Sequence, residues 1–229
     1  MFHRILVSNV MLAALLLWPF ASSAQQAVSN EQQRVIDRAR IVVEDFLDDP
    51  DLEHIDVYVK NAYAVFIVPD MLQAGFIIGA EYGLGVLLVR NLQTGDWSDP
   101  AFYDIYSGSL GLQLGGQASD AIFTIMNLDA INKLLTSKFK LGADASIAVG
   151  RVGASVGAGT TVRFGEDVYL FSRNKGLFGG LALDGSVVLP RQDWNDAYYG
   201  AGTTPKSILN QIKPVTPQTQ GLRDALGQF

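Results

Sequence analysis

The chain contains no cysteine. No disulfide can staple it, and thiol chemistry is excluded. It has two histidines, His3 and His54. A lone histidine cannot build a His-rich zinc site, and no G-x-S-x-G elbow supplies a serine partner for His54. Basic residues are in deficit: 17 Lys and Arg stand against 23 Asp and Glu, for a net charge of −6. That balance excludes the basic footprint a nucleic-acid partner requires. It also disfavours binding to anionic membranes by bulk charge alone, so lipid contact needs local basic groups or apolar insertion. Beyond the N-terminus no run approaches about 18 apolar residues, and no second membrane span is expected.

Three apparent ligand motifs fail on spacing. "AVGRVGASVGAGT" (148–160) places its glycines at 150, 153, 157 and 159, and no helix signal follows. A dinucleotide loop needs G-x-G-x-x-G between strand and helix, and a P-loop ends in Gly-Lys-Ser/Thr. "GAEYGLG" (79–85) misses both patterns. The acidic "LDDPDLEHID" puts His54 where a calcium loop starting at Asp49 needs glycine, and Lys60 where it needs glutamate. No cofactor and no metal are expected, and the chain reads as a non-enzyme. A hydrolase with an unrecognised carboxylate pair remains a minor alternative, because that pairing is spatial.

Residues 1–24 have the form of a secretory leader. His3 and Arg4 precede an apolar run from Val10 to Phe20, and Ser22 and Ala24 supply the small residues for cleavage after Ala24. No cysteine follows, which excludes the lipid-anchored variant. The expected product is exported across the inner membrane to the periplasm and peripheral to a membrane. With 48% hydrophobic residues it can build a sizeable core. Residues 25–203 form the expected domain, and 204–229 a helical and linker-like tail.

The clearest helix covers 30–47, capped by Ser29 or Asn30. Val35, Ala39, Val42, Val43 and Phe46 share one face. After Ala62 short β-rich runs alternate with glycine. "LDAINKLLTS" reads as a helix capped by Asp129, and Thr204-Pro205 as the start of another. "DVYLFSR", the "NKG" turn and "LFGGLALDGSVVL" read as a hairpin. Glycine weakens flat strands but permits bulges and close backbone approach. The fold class is therefore α+β: a strongly curved Gly-rich antiparallel sheet or small β-barrel packed with helices.

Two segments carry a resemblance. "GFIIGAEYGLGVLLVRNLQTGDWSDPAF" (75–102) contains G-x-W-S-x-P at Gly95, Trp97, Ser98 and Pro100. "LFSRNKGLFGGLALDGS" (170–186) contains Ser172, Lys175, Gly176, Leu177, Phe178 and Gly180, and "NDAYYG" follows at 195–200. Together these resemble the SYLF domain, also called the Ysc84 actin-binding or DUF500 family. Phe171 stands where the pattern has tyrosine, and Arg151 where it commonly has proline. The resemblance implies binding of lipid, notably phosphoinositides, aided by an amphipathic N-terminal helix and basic residues. Some members bind actin, an unlikely partner in an exported protein. The expected partner is a phospholipid or membrane surface, with an envelope protein partner as the alternative. Lys133, Lys138 and Lys140 form the densest basic patch and, with Lys175 and Arg151, are the candidate phosphate contacts. Trp97 either inserts at a membrane interface or plugs the open end of the sheet.

Overall fold

The computed structural model describes residues 19–52, 54–75, 78–110, 115–136, 138–149, 165–174, 183, 185–211 and 216–229. In chain order the elements are α1 (Pro19–Leu47), α2 (Ile55–Asn61), β1 (Ala64–Gly75), β2 (Ile78–Val89), β3 (Ala101–Leu110), β4 (Gly115–Ile125) and α3 (Leu128–Thr136). Then come β5 (Phe139–Lys140), β6 (Ile147–Val149), β7 (Val168–Asn174), β8 (Val187–Pro190), α4 (Gln192–Tyr199), α5 (Pro205–Leu209) and α6 (Gln220–Leu226).

The strands form one curled sheet in the order β5-β8-β3-β2-β1-β4-β7-β6. Neighbours are antiparallel except β6 and β7, which run parallel. The α+β reading holds, and among the described residues the sheet is a half-barrel with β5 and β6 at its edges. The expected hairpin between 168 and 189 does not form in its described part. β7 pairs with β4 and β6, whereas β8 pairs with β3 and β5. Residues 175–182 of that segment lie outside the described residues.

Strand alternation sends side chains to two separate cores. Ala64, Phe66, Val68, Leu87, Tyr103, Ile105 and Phe123 face inward, under α3 and α5. Val65, Ile67, Val86, Leu88, Phe102 and Ile122 face outward, under α1 and α6. On α1 the expected residues Ala39, Val42, Val43 and Phe46 are buried, Val35 is only partly buried, and Ile36 takes its place in the core. Burying one such side chain contributes about 1.5–3 kcal/mol. The helix does not start at Ser29 or Asn30. It is already helical at Pro19, the first described residue, and no glycine or proline interrupts it from there to Leu47. α3 is capped by Asn127, not Asp129: the Asn127 Oδ1 accepts from the Asp129 N–H at 2.8 Å. Thr204 does cap α5, accepting from the Ser207 N–H at 3.1 Å.

A β-bulge interrupts β1 between Val68 and Met71. Pro69 occupies it, and Asp70 adopts φ 48° with its N–H donated to Asp120 Oδ1 at 3.0 Å. Two β2 glycines make the bulge possible. A Cβ on Gly85 would stand 2.3 Å from the Ile67 carbonyl oxygen, and one on Gly83 would stand 2.4 Å from Val68 Cγ1.

Candidate functional site

The basic edge comes first. Lys133 lies in the last turn of α3, whose Ala130, Ile131 and Leu134 anchor it to the inner core. Lys138 and Lys140 flank and end β5, the edge strand. All three lysines are exposed. An acid joins them that sequence reasoning missed. Lys133 Nζ donates to the Asp144 carbonyl at 2.8 Å and stands 3.8 Å from its carboxylate. That carboxylate also accepts from the Lys140 N–H at 2.8 Å. The signal was local: Asp144 follows Lys140 by four residues, across a turn containing Gly142 at φ 83°. Asp144 thus neutralises Lys133, while among the described residues the ammonium groups of Lys138 and Lys140 carry no ion pair. Arg151 and Lys175 lie outside the described residues, as do Gly176, Leu177, Phe178 and Gly180.

Trp97 is placed inside. It is 4% exposed, and the Arg90 guanidinium lies 4.3 Å from its ring centroid. Arg90 Nη2 in turn donates to the Val59 carbonyl at 2.9 Å, capping the end of α2. The ring is covered on one side by Arg90 and on the other by the outer core. This corrects the membrane-insertion reading of Trp97: the residue is a plug.

The rest of the G-x-W-S-x-P motif is a clamp. Ser98 Oγ accepts from the Val89 N–H at 3.0 Å and donates to the Asp99 carbonyl at 2.9 Å. Asp99 is fully buried. It accepts from the Thr216 N–H at 3.1 Å, from Thr219 Oγ1 at 2.5 Å and from Arg223. The Tyr199 hydroxyl donates to the Pro100 carbonyl at 2.6 Å, and Asn195 spans the Phe102 N–H and carbonyl. The segment 216–229 is therefore packed, not free: Thr219, Leu222, Ala225, Leu226 and Phe229 are buried beneath α1.

The third feature is the far end of the sheet, beyond the bulge. On its inner face Gln73 donates to Glu81 Oε1 at 2.8 Å, with Ser107 and Ser119 also buried. Glu81 is 2% exposed, and burial pushes its carboxyl up to about 6. Its other oxygen has no hydrogen-bond partner among the described residues. A raised buried carboxyl is a candidate acid, yet among the described residues no second acid shares the inner face with Glu81. Asp104 and Asp120 belong to the opposite face, where Asp104 accepts from the Tyr82 hydroxyl at 2.9 Å and pairs with Arg191. Among the described residues no group of three or more His, Asp or Glu is arranged to hold a metal. No described helix is long and apolar enough to cross a membrane.

Comparison with known proteins gives a consistent outcome. A family described as "Ysc84: Las17-binding protein actin regulator" matches residues 106–229. The match takes in the second motif and the C-terminal segment, and begins after G-x-W-S-x-P. Protein YSC84 of Saccharomyces cerevisiae is 31% identical over 169 residues, 72% of this chain and 35% of its own. LAS seventeen-binding protein 3 of the same species is 32% identical over 162 residues, covering 68% of this chain and 34% of its own. The human SH3 domain-containing YSC84-like protein 1 is 28% identical over 161 residues, 69% of this chain and 46% of its own. This chain thus matches only about a third to a half of each relative's length.

Proposed function

The chain belongs to the Ysc84 family, and from that premise we propose that it is a non-catalytic module that binds phospholipid headgroups through the Lys133, Lys138 and Lys140 edge. The family is described as a Las17-binding actin regulator, and one of its relatives is named for binding. The observation that carries the reading is that, among the described residues, the exposed ammonium groups of Lys138 and Lys140 carry no ion pair, on one edge of a chain of net charge −6. An ammonium group outside an ion pair is the group an anion can claim. The compartment proposed with it is the periplasm. Cleavage after Ala24 would leave α1 starting at Gln25, and mass spectrometry of the exported product tests it.

Sedimentation with vesicles of phosphatidylethanolamine and phosphatidylglycerol tests the headgroup reading. Binding should weaken on replacing Lys138 and Lys140 by glutamine, by about fivefold for each lost phosphate contact, since one contact near an anionic surface contributes about 1 kcal/mol. Indifference to both substitutions would overturn it. A second reading has its own support: the family is described as Las17-binding, and one relative is named LAS seventeen-binding protein 3. On that reading the same edge meets a protein, in an exported chain one of the cell envelope, and crosslinking from envelope extracts distinguishes the two.

A further inference from the structure

The bulge in β1 changes more than local geometry. Before it, Val65 and Ile67 face outward and Phe66 and Val68 inward. Simple alternation would turn Met71 outward and Leu72 inward. The bulge reverses the phase, because a one-residue slip moves every later side chain to the other face. Met71 is buried inside, Leu72 is 55% exposed outside, and Gln73 is buried inside. The neighbouring strands agree. β2 turns Glu81 inward and Ala80 outward; β3 turns Ser107 inward, with Tyr106 outward and 45% exposed. Beyond the bulge, then, the sheet is polar inside and apolar outside, whereas its other half is apolar on both faces.

That reversal fits one solvent. Lipid-facing sheets alternate apolar-out and polar-in, with tyrosines at the interface. Here Tyr82 and Tyr106 sit together, ring centroids 5.2 Å apart, where the apolar zone begins. At that level Asp104 holds Arg191 and Arg38 holds Asp70, while Lys140, in register with Val187 and Tyr106, carries no ion pair among the described residues. Past them the outward positions Leu72, Ala80, Gly108 and Ala118 carry no charge. β1 and β2 are paired on both sides here, with Gly75 opposite Gly79, Ala80 opposite Gly108 and Gln73 opposite Gln117. Those two strands meet the requirement that hydrocarbon imposes on N–H and C=O groups, while among the described residues β3 beyond Tyr106 and β4 beyond Ser119 are paired on one side only. The depth is limited. From Leu72 to Gly75 the strand advances about 10 Å at ~3.4 Å per residue, whereas a spanning strand needs about 9–11 residues.

We propose that the β1–β2 and β3–β4 ends of the sheet enter one leaflet of a phospholipid bilayer, presenting Leu72 and Tyr106 to the acyl chains. This rests on the membrane reading above and assigns it a second, apolar contact distinct from the lysine edge. It also explains the buried Gln73–Glu81 pair: the interior of the inserted end is polar because its exterior is not.

The absence of cysteine makes the test clean. Single substitutions Leu72→Cys and Tyr106→Cys, each labelled with an environment-sensitive dye, are compared with Leu128→Cys, an exposed leucine on α3. Vesicles of phosphatidylethanolamine and phosphatidylglycerol carry bromines on their acyl chains. Blue-shifted emission and bromine quenching at 72 and 106, but not at 128, are expected. Leu72→Asp should lower vesicle partitioning about tenfold, as loss of one buried leucine implies. Vesicle binding without quenching at 72 and 106 would overturn this inference and leave the headgroup reading standing. Absence of vesicle binding would remove both. A blue shift without vesicles that grows with protein concentration would make the face a contact between copies of the chain, and would equally overturn it.

Discussion

At the scale of single residues, environment decides what a side chain is for. Glu81 shows this with a sign that can be checked. Its carboxyl is raised by burial to about 6, from an ordinary 4.5. The fold therefore holds the protonated form better than the unfolded chain does. Below the unfolded value the group costs nothing. Between 4.5 and 6 the cost grows, and above 6 it is fully present, at about 2 kcal/mol. Glu81→Gln keeps a partner for Gln73 and removes the ionisation. The variant should melt several degrees higher at pH 8 than the parent, with the two curves converging near pH 4. A difference that does not vary with pH would refute the assignment. Trp97 shows the limit of sequence at this scale. A tryptophan on a turn fits a plug and an anchor equally well, and only the Arg90 guanidinium over its ring decides between them.

At the scale of elements, the key contact is long-range. Asp99, beside the W-S-D-P turn, and Arg223, on α6, are separated by 124 residues, yet one fixes the other. Breaking a buried pair from one side leaves an uncompensated charge, which costs about 3–5 kcal/mol. Arg223→Met should therefore lower the urea midpoint by a large part of its value, since typical domains hold about 5–15 kcal/mol in all. It should also expose the segment 216–229 to proteolysis. Asp99→Asn in the same chain should recover much of the loss, and failure to recover would mean that Arg223 acts through something other than this pair. Distance along the chain also explains what was legible. The buried face of α1 and the Thr204 cap depend on residues within a few positions of one another, and both were readable. The parallel pairing of β6 with β7, the separation of β7 from β8, and the docking of the C-terminal segment depend on partners far away, and were not. The phase reversal lies between these cases. Pro69-Asp70 marks a break in the sequence, but which way Leu72 turns depends on β2 and β4 having glycine and aspartate opposite.

At the scale of the whole molecule, the two proposed membrane contacts differ in their physics while the chain as a whole is acidic. With net charge −6, the entire protein is repelled by an anionic surface whenever the surface can sense all of it. At about 0.01 M salt the screening length is about 30 Å, comparable to a domain, and repulsion dominates. At about 0.15 M it is about 8 Å, and the bilayer senses only the edge that faces it. If that edge is Lys138 and Lys140, attraction survives screening of the remainder. The rate of association with phosphatidylglycerol vesicles should therefore rise with salt, reach a maximum and fall as the lysine contacts are themselves screened. With Lys138 and Lys140 replaced by glutamine the falling limb should disappear. The rate should then rise to a plateau set by the uncharged Leu72–Tyr106 end, whose apolar contact salt does not weaken. Stopped-flow mixing measures both curves. A monotonic fall in the parent chain, the behaviour of a basic protein, would show that local charge outweighs the whole at every distance, and the division of labour between lysine edge and sheet end would be wrong.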